Sequence, residues 1–168
     1  MPMHRDADAL IVELSSEAET EHLGRAIAEV VSPGTVIGLI GPLGAGKTRL
    51  SRAIAEGLGV DPGAIASPTF VLIHEYEGRF PVFHADSYRL DDPDEFDALG
   101  LVDEFGGPGV CLIEWADRVA DRLPEGTWWV EIEPTGAASR RLRVRARPII
   151  LDQLADRLGP GNPPLHDC

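Results

Sequence analysis

The chain has 168 residues and a mass of 18.1 kDa, with 43% apolar and 26% charged residues, the profile of one soluble globular domain large enough to bury a core. Twenty-eight acids against fifteen bases give a formal charge of -13. A surface this acidic repels polyphosphates at long range, which argues against autonomous binding to DNA or RNA.

The N-terminus, "MPMHRDADALIVEL", lacks the apolar stretch and small-residue cleavage site of a signal peptide. No window approaches the ~20 apolar residues of a membrane span. The two cysteines, Cys111 and Cys168, suggest no disulfide framework, so a reducing cytoplasm is the expected compartment.

In chain order, "ALIVEL" (9–14) predicts a short strand. A helix follows through "SSEAETEHLGRAIAEVV", opened by Ser16 and Glu19 at capping-box spacing. Leu23, Ile27 and Val30 give that helix an apolar stripe. "SPG" turns the chain into "TVIGLI" (35–40), a buried strand that runs straight into a glycine-rich loop. Helical spacing resumes in "KTRLSRAIAEGLG" (47–59), where Gly59 is a natural stop. "SPTFVLIHEYEGRFPVFHAD" predicts two strands joined at Gly78 as a hairpin. "DDPDEFDALG" is a short helix, with Pro93 in its first turn and Gly100 at its end.

"GVCLIEW" (109–115) is a further apolar strand that ends in an acid, and "ADRVADRLP" a short helix. "TWWVEIE" and "RRLRVRA" form a second hairpin, "IILDQLADRLG" closes the domain as a helix, and the tail "PGNPPLHDC" is expected to be disordered. The whole predicts a single α/β domain over residues 1–159, of P-loop NTPase-like architecture. It has a mixed central sheet with β-hairpins and helices on the sheet faces, followed by a tail at 160–168.

The glycine loop carries the chemistry. Gly41-Pro42-Leu43-Gly44-Ala45-Gly46-Lys47-Thr48 fits G-x-x-x-x-G-K-[ST], the phosphate-binding P-loop. Glycines let the backbone wrap phosphate oxygens closely, so that successive N–H groups point inward. The helix that starts near Lys47 adds the partial positive charge of its N-terminus. The ammonium of Lys47 reaches the β- and γ-phosphates, and the Thr48 hydroxyl is placed for Mg²⁺. The expected nucleotide contacts are Gly41, Leu43, Gly44, Ala45, Gly46, Lys47, Thr48 and Arg49. Lys47 is the only lysine, beside fourteen arginines. No second lysine exists to build the N-K-x-D motif through which conventional GTPases read guanine, so ATP is the expected nucleotide.

A P-loop also needs a carboxylate near its metal, at the end of a neighbouring apolar strand. Glu114, which closes "VCLIE", and Asp86, which closes "PVFHAD", both project at the C-terminal edge of the sheet, where α/β folds place ligands. One would ligate Mg²⁺ and the other orient the attacking water; spacing alone leaves the two roles open. His84 shares a strand face with Asp86, either as a structural hydrogen-bonder or as a participant. Thr69 of "SPTF" suits a switch loop that senses a γ-phosphate.

Together "GPLGAGKT", "SPTF", "HADSYRL" and "LIEW" resemble the TsaE family, formerly YjeE, bacterial ATPases required to make threonylcarbamoyladenosine in tRNA. The resemblance spans roughly residues 10 to 147. It implies that Lys47 and Thr48 bind phosphate and Mg²⁺ and that Thr69, Asp86 and Glu114 have functional roles, with Trp115 beside the nucleotide. It further implies that the protein acts with TsaD and TsaB, where nucleotide binding and hydrolysis reset the assembly, and meets tRNA only through that complex. The chain departs from the family pattern at Pro42, where an acid is frequent, and at Ala85 and Ser87, where bulkier apolar residues are frequent.

Two other functions share the loop: a small-molecule kinase and a nucleotide-dependent binding module with little hydrolysis. The segment "RLDDPDEFDALGLVDEFGGPG" is acidic where a kinase lid needs arginines, and two well-placed acids favour hydrolysis over mere binding. The stripe of Arg141, Arg143 and Arg145 suggests an RNA or partner contact, but cross-strand partners are the favoured explanation: if Glu133 faces Arg141, then Glu131 meets Arg143, and Trp129 meets Arg145 in a cation–π contact.

Overall fold

The computed structural model describes residues 1–65 and 72–159; the Thr69 switch-loop expectation and the 160–168 tail lie outside the described residues. One eight-stranded mixed sheet, in the order β1-β2-β8-β7-β3-β6-β5-β4, forms the centre. Its strands are β1 (Met3–Arg5), β2 (Leu10–Leu14), β3 (Val36–Ile40), β4 (Ile73–Glu77), β5 (Pro81–Asp86), β6 (Val110–Glu114), β7 (Trp128–Pro134) and β8 (Arg140–Arg145). Strands β7, β3, β6 and β5 run parallel, and antiparallel strands extend the sheet on both sides. The helices are α1 (Glu17–Val30), α2 (Lys47–Gly57), α3 (Pro93–Ala98) and α4 (Pro148–Leu158). The P-loop NTPase-like α/β architecture is therefore as expected, both hairpins included.

Period-two alternation decides which side each strand residue serves. Val82, Val110, Leu112, Val130 and Leu142 pack beneath α1, α2 and α4. Val36, Phe83, Cys111 and Ile113 face the opposite layer, with Leu90, Phe96, Leu101 and Val119. The helix α1 meets α2 through small residues. A Cβ on Gly24 would stand 2.4 Å from Cβ of Ala53, and one on Gly57 would stand 2.7 Å from Cβ of Ala28. Any side chain at either glycine would push the two helices apart.

The opening of α1 follows half of the expected box. Ser16 Oγ accepts from the Glu19 N–H at 3.2 Å, but the Glu19 carboxylate accepts from the N–H of Ser15, at 2.6 Å, rather than from that of Ser16. Segment 116–122, predicted as a short helix, is a 3-10 helix interrupted at Val119. Strand β1 was not foreseen; three residues long and largely exposed, it pairs with β2 at the sheet edge and carries no apolar alternation that marks it. Cys111 is buried, and burial, with Glu104 nearby, pushes its thiol up to about 12, which makes it inert as a nucleophile.

The β7–β8 register matches the expected pairing: Trp129 faces Arg145, Glu131 faces Arg143 and Glu133 faces Arg141. The ion pairs do not all follow it. Glu131 reaches diagonally to Arg145 at 2.5 Å, and Arg143 turns instead to Asp8 and Asp6, at 3.4 and 3.9 Å. Arg141 is shared between Glu13 at 2.7 Å and Glu133 at 3.5 Å. Strand β8 is flanked on both sides by acid-bearing segments, so long guanidinium arms select among several carboxylates. The arginine stripe is thereby paired with this chain's own acids. Among the described residues no helix is long and apolar enough to cross a membrane.

Candidate functional site

Three parallel strands deliver the site to one edge. β6 lies between β3 and β5, with Glu114 level with Leu39 on one side and with Asp86 on the other. Glu114 continues the Val110–Leu112 face, the face that α2 covers, so it emerges beneath the first turn of that helix. Asp86 continues the Val82–His84 face in the same way. The loop between β3 and α2 arches over this edge. Gly44 and Gly46 take left-handed φ values of 78° and 110°, which side-chain-bearing residues adopt at a cost. Ala45 is fully buried and anchors the loop, and its N–H donates to the carbonyl of Pro42 at 3.0 Å.

Lys47 is 4% exposed. Its Nζ donates to the carbonyls of Gly41 and Pro42 at 2.6 and 2.9 Å and lies 3.8 Å from the ring centroid of Trp115. Burial pushes its pKa below the ordinary lysine value, and Glu114, Asp86 and Asp117 offset this only in part. A buried ammonium held by neutral dipoles and a ring face is under-compensated, and so is poised to gain from an anion.

Glu114, 3% exposed, uses both carboxylate oxygens. Oε2 accepts from the Thr48 hydroxyl at 2.8 Å, and Oε1 is 2.7 Å from Nε2 of His84. Asp86 Oδ1 accepts from the Tyr88 N–H at 2.9 Å. Leu43, Gly44, Gly46, Lys47, Thr48, Asp86, Tyr88, Glu114 and Trp115 line one cavity of about 290 Å³. The oxygens of Thr48, Glu114 and Asp86 are the hard donors that suit Mg²⁺. Among the described residues no cluster of three or more His, Cys, Asp or Glu could cage a metal alone.

Trp115 is the one described non-glycine residue with positive φ, at 57°. For a bulky side chain this is an outlier, and it turns the chain sharply after Glu114 so that the indole lies beside Lys47. The indole also packs against Tyr88, with ring centroids 4.9 Å apart and planes tilted by 43°, and Arg118 lies over the Tyr88 and Trp115 rings at 5.2 and 5.7 Å.

Of the expected residues, Gly41, Leu43, Gly44, Ala45, Gly46, Lys47, Thr48, Asp86, Glu114 and Trp115 come together here. Leu43 stands at the rim, 79% exposed. Arg49 sends its guanidinium away, to Glu17 and Glu21 of α1 at 3.0 and 3.6 Å, which leaves its first-turn backbone N–H as its route to a phosphate. Two neighbours were not foreseen. Arg118 enters through the turn that Trp115 creates. Arg140 has Nε 3.7 Å from where a Cβ on Gly46 would stand; it precedes the alternating stripe, and only the sheet order brings the start of β8 to the loop. Ser87, at a position where the family often has a bulkier apolar residue, is fully buried, and its hydroxyl makes no hydrogen bond among the described residues.

Comparison with known proteins follows the same lines. The family described as "Threonylcarbamoyl adenosine biosynthesis protein TsaE" matches residues 14–142. The tRNA threonylcarbamoyladenosine biosynthesis protein TsaE of Bacillus subtilis (strain 168) is 40% identical over 129 residues, covering 76% of this chain and 80% of that one. The protein of the same name from Treponema pallidum (strain Nichols) is 37% identical over 129 residues, covering 77% and 95%. The crystal structure of YdiB from Bacillus subtilis superposes with a TM-score of 0.69 at 31% identity, covering 92% of this chain and 97% of that one. A glycine loop ending in Lys47-Thr48 at a parallel sheet edge, a family match over most of the domain and a shared fold converge: the chain belongs to the TsaE family of threonylcarbamoyl adenosine biosynthesis proteins.

Proposed function

We propose that this protein is the Mg²⁺-dependent ATP-binding and ATP-hydrolysing subunit of tRNA threonylcarbamoyladenosine synthesis, acting in the cytoplasm with TsaD and TsaB and meeting tRNA only through them. The observation that carries the reading is the joining of Lys47, Thr48, Glu114 and Asp86 around one cavity, with Thr48 and Glu114 bonded at 2.8 Å. Family membership supplies the pathway, and the site supplies the chemistry.

Loop amides and the Lys47 ammonium grip the β- and γ-phosphates, and the ammonium trades its two carbonyl partners for phosphate oxygens. Thr48 and Glu114, already in contact, would hold Mg²⁺, which when bound would supply positive charge to neutralise the phosphates. Asp86 orients water: its Oδ1 is fixed by the Tyr88 N–H, and its side chain faces the same cavity. The water oxygen bonds to the γ-phosphorus as the bond to the bridging oxygen breaks, ADP leaves with the electron pair, and the proton shed by the entering water passes to an oxygen of the phosphate formed. Lys47 stabilises the charge that develops there. Thr69 is assigned to γ-phosphate sensing and Trp115 to shielding the Lys47 ammonium from water.

Incubation of the pure protein with MgATP tests the proposal. Slow phosphate release that rises when TsaD and TsaB are added is expected. Phosphate that appears on a small metabolite instead indicates a kinase, and tight binding with no release under either condition indicates a binding module; either result overturns the proposal.

A further inference from the structure

We propose that His84 is a positioning residue for the metal side of the site: its Nε2–H fixes Glu114 so that the second carboxylate oxygen faces Thr48. The inference rests on the ATPase reading above and adds a residue that the reading itself does not need.

The geometry is set by the backbone. In the parallel pairing of β5 with β6, His84 is level with Leu112 and Asp86 is level with Glu114, so His84 and Glu114 stand diagonally, one pleat repeat apart, on one face. The imidazole reaches that diagonal at 2.7 Å. Both partners are largely out of water, with side chains 13% and 4% exposed. A carboxylate only accepts hydrogen bonds, and Oε2 already receives the Thr48 hydroxyl at 2.8 Å. Nε2 must therefore carry the proton given to Oε1. A glutamate side chain has three rotatable bonds, and two hydrogen bonds from opposite sides pin both ends of its carboxylate. Without His84, Oε1 is released and the plane of the carboxylate can swing away from the hydroxyl that would share the ion.

The neighbouring β4 supplies no alternative. His74 faces His84 across the antiparallel pair, but its Nε2 is buried without a hydrogen-bond partner among the described residues. Burial and the proximity of His84 both push the His74 pKa down, which keeps it a neutral packing group.

The test compares wild type, His84→Gln, which keeps a donor near the Nε2 position, and His84→Phe, which keeps a flat ring and removes it. ADP binding is measured by calorimetry with and without Mg²⁺, beside the melting temperature. The magnesium-dependent gain in affinity should fall about 10-fold or more in His84→Phe, in line with outer-sphere substitutions at metal sites. It should be largely retained in His84→Gln, and metal-free ADP affinity should be unchanged in both. An equal gain in all three proteins, or equal loss of metal-free binding, overturns the role. Ring ¹⁵N–¹H correlations of the wild type give an arm independent of any variant's folding: a proton on Nε2 is required, and a neutral ring protonated only on Nδ1 overturns it. The ATPase reading fails separately, if wild type binds no nucleotide or gains nothing from Mg²⁺.

Discussion

Replacing Lys47 with alanine should lower affinity for MgATP by about 100-fold or more, about 3 kcal/mol, without unfolding the domain. The ammonium is enclosed by Gly41, Pro42 and Trp115, and burial holds its pKa below the usual value. The free protein thus carries a cation that lacks a full counter-charge. A triphosphate supplies that charge at a water-poor site, where electrostatic attraction is far stronger than in bulk. Lys47→Arg should not rescue. A planar five-donor fork is larger than a compact ammonium, and the pocket behind the loop leaves Lys47 only 4% exposed. Calorimetric titration measures the affinity and a melting curve confirms the fold. Unchanged affinity in a folded Lys47→Ala protein would remove the loop from the account.

The second large effect falls on turnover rather than binding. Glu114→Gln, which preserves volume, and Glu114→Ala should each slow phosphate release about 1,000-fold or more, while MgATP affinity falls less, by about 10- to 100-fold. The contrast follows from position. Phosphate is gripped by loop amides and Lys47, neither of which needs Glu114, whereas the Thr48 hydroxyl loses its partner when the carboxylate goes. Single-turnover phosphate release beside calorimetry separates the two quantities. Equal losses of both would mean that Glu114 serves general binding or folding.

Much of this was legible because the local rules agree with one another. The loop motif, an apolar strand before it and a periodic helix after it place Lys47 and Thr48 without reference to the rest of the chain. Alternation put Glu131 and Glu133 on one face of their strand and Arg141 and Arg143 on one face of theirs, and if Glu133 is set opposite Arg141 it puts Glu131 opposite Arg143, the register found. It could not say which carboxylate a flexible guanidinium takes, because β2 and the segment before it bring Glu13, Asp6 and Asp8 to the other flank of β8.

The site was less complete. Asp86 and Glu114 were seen as strand-end acids, but that they stand level on adjacent strands, with Glu114 alone bonded to Thr48, needed the order β3-β6-β5. Spacing within β5 allowed His84 to be merely structural, and only its 2.7 Å approach to Glu114 gives it a role. The left-handed Trp115 was hidden because nothing in "LIEW" signals a strained backbone, and strain of this kind depends on the packing that sustains it.

The division between the two acids is most directly tested by a crystal structure of the protein with Mg²⁺ and a non-hydrolysable ATP analogue. The account predicts the terminal phosphates against the loop, the ion next to Thr48 and Glu114, and Asp86 facing the γ-phosphate from across the cavity. An ion held elsewhere, with Glu114 and Asp86 turned from the phosphates, would contradict it.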